Sequence, residues 1–179
     1  MVHYSIQGNH VHAIVEAAGT AELARGMKSL GSRLARAVNR VFGRSGPVLA
    51  ERFHLRTLRT PREVRNAIAY VLLNARRHAA RLRGFRREVA RIDPASSGRW
   101  FDAWKRRIQP PTDAPAVAKP RTWLLRIGWR RWGLVDPAEV PGAGGDGAHR
   151  APTRRQSARS SSVEIALRSA AAQGLLTEA

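Results

Sequence analysis

The spacing of apolar residues changes along the first part of the chain, and this limits the folds open to it. Apolar and polar residues alternate over residues 2–6 and again over 10–17, which is the period of a half-buried strand. From Ala21 to Phe42 apolar residues recur every three or four positions, as on one face of a helix. A third alternating stretch follows over 48–59. The pattern predicts an α+β fold with an antiparallel sheet that begins almost at the first residue.

A second helix is predicted from its capping residues. Thr60 can cap the helix, Pro61 suits the first helical position, and Glu63 completes a capping box with Thr60. This helix is predicted to continue to about Leu82, before Gly84.

The charge of the chain indicates a polyanionic partner. It has 32 Lys and Arg against 13 Asp and Glu, a net charge of +19, and it has no cysteine. Nucleic acid is the first candidate partner and an anionic membrane surface the second. Cationic side chains that neutralise the phosphates of such a polyanion release condensed counterions, and this release favours binding. No apolar run long enough to span a bilayer and no signal peptide is evident. These features predict a cytoplasmic nucleic-acid-handling protein.

The chain is predicted to have three parts. Residues 1–92 form the folded core, 93–135 an irregular Trp-containing extension, and 136–179 a mostly disordered tail, with a short helix as one option near 163–173. The five tryptophans are candidates for stacking on bases, but packing onto the domain is the favoured interpretation.

Two histidines on the second predicted strand are candidate metal ligands. Side chains two residues apart on a strand point the same way, so His10 and His12 project together while Val11, Ala13 and Val15 pack on the other face. Two imidazoles placed in this way can share a divalent cation. The alternative is that they are ordinary polar residues on an exposed strand.

A second group of polar residues lies on the capped helix. At about 100° per residue, Asn74 lies about 40° from Tyr70 and Arg77 about 20° from it on the other side. Tyr70 therefore sits at the border of the apolar face, either as an anchor at the edge of the core or as a nucleophile. A tyrosine hydroxyl can form a covalent intermediate, and a metal held by His10 and His12, with the Asn74 carbonyl as a candidate third ligand, would polarise a DNA phosphate.

Three further basic residues share one face of the third predicted strand. Arg52, His54 and Arg56 are candidates, with Arg77, for contact with a phosphate backbone, although a solvated charged face explains them equally well.

These motifs occur in the order found in a known family. Residues 8–16 (GNHVHAIVE) resemble the histidine–hydrophobic–histidine motif of the REP-associated tyrosine transposases, a branch of the single-tyrosine HUH transposases. Residues 52–54 (RFH) resemble the strand after the first long helix, and residues 70–76 (YVLLNAR) resemble the segment with the nucleophile. Residues 93–102 and 121–125 are similar to downstream segments of some members. The resemblance covers about residues 1–135.

The resemblance implies a fold, a chemistry and a set of site residues. The implied fold is a ferredoxin-like antiparallel sheet with helices on one face. The implied activity is transposition by nicking and rejoining single-stranded or hairpin DNA through a 5′-phosphotyrosine on Tyr70. His10 and His12 would hold Mg²⁺ or Mn²⁺, with Asn74 as third ligand. A prokaryotic, nucleoid-associated location follows, and the oligomeric state stays open.

The chain differs from this family at its N-terminus. Members carry a strand and a helix before the strand that ends near Gln7, so the chain is expected to be N-terminally truncated, with one strand of a four-stranded sheet missing. Either the start codon is wrongly assigned or the gene is a decayed copy. Two other functions therefore stay open: a non-catalytic single-strand or hairpin binder that is the remnant of such an enzyme, and a basic RNA-binding protein.

Overall fold

The computed structural model describes residues 1–49, 53–81, 91–109 and 111–142, together with the backbone of residues 161–168. It is a mixed α and β structure with an antiparallel sheet, as the periodicity predicts. Its strands and main helices run in the order β1 (His3–Ile6), β2 (His10–Ala17), α1 (Thr20–Val41), β3 (His54–Leu58), α2 (Pro61–Leu72), α3 (Asn74–Ala79), α4 (Trp123–Arg126) and β4 (Ser161–Arg168).

The hairpin predicted at the start of the chain is confirmed. β1 and β2 pair antiparallel with Tyr4 opposite Ala13, and the backbone N–H of Gln7 donates to the His10 carbonyl across the turn at 2.8 Å. The free edge of β1 is partly covered, because the Ile6 N–H donates to the Ala95 carbonyl at 2.9 Å. The hairpin thus fixes the strand that carries both histidines.

The capping box predicted for the second helix is also present. The Thr60 hydroxyl accepts from the Glu63 N–H at 3.2 Å, and the Glu63 carboxylate accepts from the Thr60 N–H at 3.1 Å. The helical path is interrupted at Leu73, which separates α2 from α3. The predicted end near Leu82 lies outside the described residues. The cap fixes where α2 begins and therefore which of its residues face the sheet.

A strand from the far end of the chain lies in the middle of the sheet. The strand order is β1-β2-β4-β3, and β4 is antiparallel to both neighbours. The predictions of a disordered tail and of a short helix near 163–173 are therefore wrong for residues 161–168. Strand pairing on both sides decides their conformation, because an inserted strand satisfies the unpaired edges of β2 and β3.

The helices pack on both faces of the sheet, so the prediction of helices on one face is wrong. Ala13 and Val15 of β2 are buried together with Met27 of α1. Ile14, on the opposite face of β2, belongs to a larger core that contains α2 and Trp129 from the extension. Two amphipathic helices each need an apolar surface, and the sheet offers one to each on opposite faces. No helix in the described part of the chain combines the length and apolarity needed to cross a membrane.

Burial of His3 predicts an acid-sensitive core. His3 lies on the α2 face, edge-on to the Phe101 ring at 5.4 Å, and burial lowers its pKa to about 4 from an unfolded value of 6.5. Between these values the unfolded chain binds the proton and the folded chain does not, so stability falls as the pH drops from 6.5 to 4. The loss is about 3 kcal/mol for this group.

Urea unfolding at pH 7 and at pH 4.5 measures this effect. A His3→Phe protein should lose a large part of the pH dependence, whereas His54→Gln, at an exposed position, should keep it. An unchanged pH dependence in His3→Phe would contradict the assignment to His3.

Candidate functional site

β2 places both predicted histidine ligands on one face of the sheet. The His10 and His12 rings lie 4.8 Å apart, measured between their centroids, and meet edge to face. His12 is only 8% exposed, whereas His10 is partly exposed. This is the same face as buried Ile14, against which α2 packs. The alternation of the strand therefore directs the two imidazoles toward the second helix.

α2 and α3 bring the predicted nucleophile and amide to these histidines. The Tyr70 ring lies edge-on to the His12 ring at 5.0 Å between centroids. The Asn74 side chain is fully buried, and its Nδ2 lies 3.3 Å from His10 Nε2. Four of the residues singled out in the sequence thus meet at the junction of one strand and two short helices.

Two buried polar atoms of this cluster have no hydrogen-bond partner among the described residues. They are His12 Nδ1 and Asn74 Oδ1. Buried polar atoms are rarely left unsatisfied, and an absent ion or water is one standard reason for it. A half-turn of the Asn74 amide exchanges its oxygen and nitrogen, so either atom can face His10.

The protonation state of His12 favours ligation. Burial, and to a smaller extent the nearby charges of His10, Arg77 and His78, lower the pKa of His12 to about 4. The imidazole is consequently neutral at pH 7, and a neutral ring nitrogen is the form that binds a metal ion.

Arg77 stands beside the candidate nucleophile. Its guanidinium carbon lies 4.9 Å from the centroid of the Tyr70 ring, over the ring face. A cation–π contact of this kind holds the ring in place and leaves guanidinium N–H groups to bind an anion. The cluster therefore contains a hydroxyl, a cation and two imidazoles.

His78 belongs to the same cluster but was not singled out in the sequence. Its ring lies 5.7 Å from the His10 ring between centroids, and its side chain is exposed. The signal was available, since His78 follows Asn74 by four residues, and side chains four apart share one face of a helix. No group of three or more His, Cys, Asp and Glu side chains with metal-binding geometry occurs among the described residues. The candidate donors that lie together are the imidazoles of His10 and His12 and the Asn74 amide.

The other predicted DNA-binding residues do not reach this cluster. Arg52 lies outside the described residues. His54 and Arg56 are exposed on β3, and Arg56 lies 3.8 Å from the Glu63 carboxylate. Backbone register aligns His54 with His12 through position 166 of β4, on the same face of the sheet and about 10 Å away at two strand spacings. His54 and Arg56 thus form a basic flank beside the site.

Comparison of the chain with protein-family models, with curated proteins and with solved structures found no match.

Proposed function

We propose that this protein is a metal-dependent DNA nickase and strand transferase, a transposase of the single-tyrosine HUH type. Its substrate is single-stranded or hairpin DNA, cut through a 5′-phosphotyrosine intermediate. One observation carries the proposal: the His10 and His12 pair, Tyr70 and Asn74 come from two distant parts of the sequence and lie in one cluster. A tyrosine that only anchored the edge of the core would not require two histidines and a buried amide beside it.

Tyr70 supplies the nucleophile in the proposed step. Its hydroxyl oxygen forms a bond to the phosphorus of a phosphodiester, and the bond between that phosphorus and the 3′ oxygen of the preceding nucleotide breaks. One proton leaves the phenol and one is taken up by the departing 3′ oxygen, so no net proton is consumed. Attack by a 3′ hydroxyl reverses the step and rejoins the strand, which is how one tyrosine serves for both cutting and joining.

The residues present fit a divalent cation. His10 and His12 would hold it, and the unpartnered Asn74 Oδ1 offers an oxygen ligand. Two imidazoles with one amide oxygen suit Mn²⁺ better than Mg²⁺, because Mg²⁺ prefers an all-oxygen shell. When bound, the ion supplies Lewis-acid polarisation of the phosphate.

Arg77 has a positioning and neutralising role. Its guanidinium lies over the Tyr70 ring, where it orients the nucleophile and can bind a phosphate oxygen through its N–H groups. His54 and Arg56, exposed on the neighbouring flank, would contact the DNA backbone beyond the reacting phosphate.

The sheet supports the family interpretation. The order β1-β2-β4-β3, antiparallel throughout, agrees with the sheet that the proposed family would have if residues 161–168 took the central place of an earlier strand. Association with the nucleoid in a prokaryotic cytoplasm follows from the proposed substrate and from the net charge of +19.

Binding of single-stranded or hairpin DNA without cleavage is the second candidate function. The exposed basic side chains of β3 favour it, because they flank the cluster without belonging to it and need neither the metal nor Tyr70 to contact DNA. This function would suit the remnant of such an enzyme.

Incubation with labelled single-stranded hairpin DNA and Mn²⁺, followed by denaturing electrophoresis, tests the proposal. A DNA-linked protein band is expected, and it should disappear with a chelator. A His12→Ala protein with Mn²⁺ should resemble the chelated wild-type protein, with adduct yield lowered at least about 100-fold, because ligand loss removes the Lewis acid. DNA binding with no adduct under any condition would leave only the second function.

A further inference from the structure

Two of the five tryptophans are exposed on one short segment of the extension. Trp123 begins α4, and Trp132 ends the 3₁₀ turn that follows it. Their exposed fractions are 50% and 54%, whereas Trp129 between them is 2% exposed and donates its Nε1–H to the Leu125 carbonyl at 3.1 Å. Trp129 therefore anchors the segment in the core, while the other two rings face solvent.

The segment is held rigidly against the sheet. Both carboxylate oxygens of Glu16 on β2 accept hydrogen bonds from its start: from the Arg121 N–H at 2.7 Å and from the Thr122 N–H and hydroxyl at 2.8 and 2.6 Å. The Trp123 ring lies directly on Gly128, where an added Cβ would come within 2.5 Å of a ring carbon. Only glycine allows this close approach, so the inner side of the Trp123 ring is fixed.

An arginine guanidinium lies beside each of the two exposed rings. Residues 121–132 contain four arginines and no acidic residue. The Arg131 guanidinium carbon lies 5.4 Å from the centroid of Trp123, and that of Arg62 lies 5.3 Å from the centroid of Trp132. Each exposed indole thus has a cation beside it, so the same pair of features occurs at Trp123 and again at Trp132.

We infer that this surface, Trp123 and Trp132 with Arg62 and Arg131, binds single-stranded DNA by stacking unpaired bases on the two indoles. An indole offers a face to any base, and an adjacent guanidinium can move from the ring to pair with the phosphate of the same nucleotide. A protein partner would also cover apolar area, but the excess of positive charge on the segment, four arginines against the contacting carboxylates of Glu16 and Asp102, matches a polyanion. The inference takes its ligand from the proposed function and so rests on it.

The surface acts separately from the cutting chemistry. It is formed by the extension and the first turn of α2, whereas Tyr70 lies two helical turns further along α2. It would hold the unpaired strand next to a hairpin while the cluster acts on a phosphate, and it adds affinity that does not depend on a metal.

Fluorescence anisotropy with a short labelled oligothymidylate, in the presence of chelator, tests the inference. Trp123→Ala and Trp132→Ala should each weaken binding by about tenfold, in line with the loss of one stacked base. An abasic oligonucleotide of the same length keeps the phosphates but offers no bases, so its binding should be the same for the variants and the wild-type protein. Ile127→Ala, at a neighbouring apolar side chain that is 55% exposed, is the matched control and should bind oligothymidylate normally.

Three outcomes would overturn the inference. Unchanged oligothymidylate affinity in Trp132→Ala, whose melting temperature verifies that it folds, excludes stacking there. An equal loss in Ile127→Ala indicates a general apolar interface. A change in oligomeric state without a change in DNA affinity assigns the surface to contact between copies of this chain.

The adduct assay separates this inference from the proposed function. If the wild-type protein forms no adduct but the tryptophan variants lose oligothymidylate binding, the DNA-binding role of the surface is supported and the proposed nickase activity is refuted. If adduct forms and the variants bind like the wild-type protein, the surface alone fails.

Discussion

A Tyr70→Phe protein is expected to bind hairpin DNA like the wild-type protein and to form no covalent adduct. The substitution removes only the hydroxyl oxygen. The ring contacts with His12 and Arg77 involve carbon atoms of the Tyr70 ring and so survive in phenylalanine. Adduct yield should fall at least about a thousandfold, because loss of a nucleophile leaves no route to the covalent intermediate.

Tyr4 provides the matched control, since the chain has only two tyrosines. Tyr4 packs with Val11 and Ala13 on the opposite face of the sheet from the histidines. Tyr4→Phe should form adduct at the wild-type rate. The adducts are measured by denaturing electrophoresis, with binding followed in parallel by anisotropy. Adduct formation by Tyr70→Phe would refute the assignment of the nucleophile.

A chain that ends at Gly142 is expected to lose its cooperative fold. It would lack β4, which pairs with β2 from His10↔Arg168 to Ala17↔Ser161 and with β3 from His54↔Ala166 to Leu58↔Ser162. Each ladder hydrogen bond contributes about 1 kcal/mol net, so losing both ladders removes an amount comparable to the 5–15 kcal/mol stability of an ordinary domain. β3 would lose its strand partner within the described sheet, and the histidine strand would become an edge.

A point variant tests the same idea without shortening the chain. Ile165→Pro removes one backbone donor from a central strand, where proline is not tolerated. A chain that ends at Ala170 keeps β4 and is the control. Thermal unfolding followed by circular dichroism should show a sharp transition for the control and none, or one at a much lower temperature, for the other two proteins. A wild-type transition in the chain that ends at Gly142 would show that β4 is dispensable.

Local elements of the fold could be predicted because short-range geometry determines them. The alternation over 10–17 predicts β2, and the capping residues Thr60 and Glu63 predict where α2 begins. The same geometry places His10 with His12 and groups Tyr70 with Asn74 on one side of a helix. Each of these relations spans only a few residues, and in each the backbone period is known in advance.

The relations between elements required the tertiary structure. The 5.0 Å spacing of Tyr70 and His12, and the exposure of Trp123 beside buried Trp129, depend on how α2 and the extension pack against the sheet. The arrangement of helices on one face, which the family resemblance implies, is wrong for this chain, and apolar periodicity could not correct it because it gives each element a buried side but does not say which partner covers it.

The strand at 161–168 shows this limit most clearly. Its residues are predicted as disordered or helical from their own composition, and pairing with strands more than 100 positions earlier makes them the centre of the sheet. Sequence alone determines the conformations that neighbouring residues impose on one another. Long-range strand pairing is decided by which unsatisfied backbone edge is available in the folded protein, and no local pattern records that.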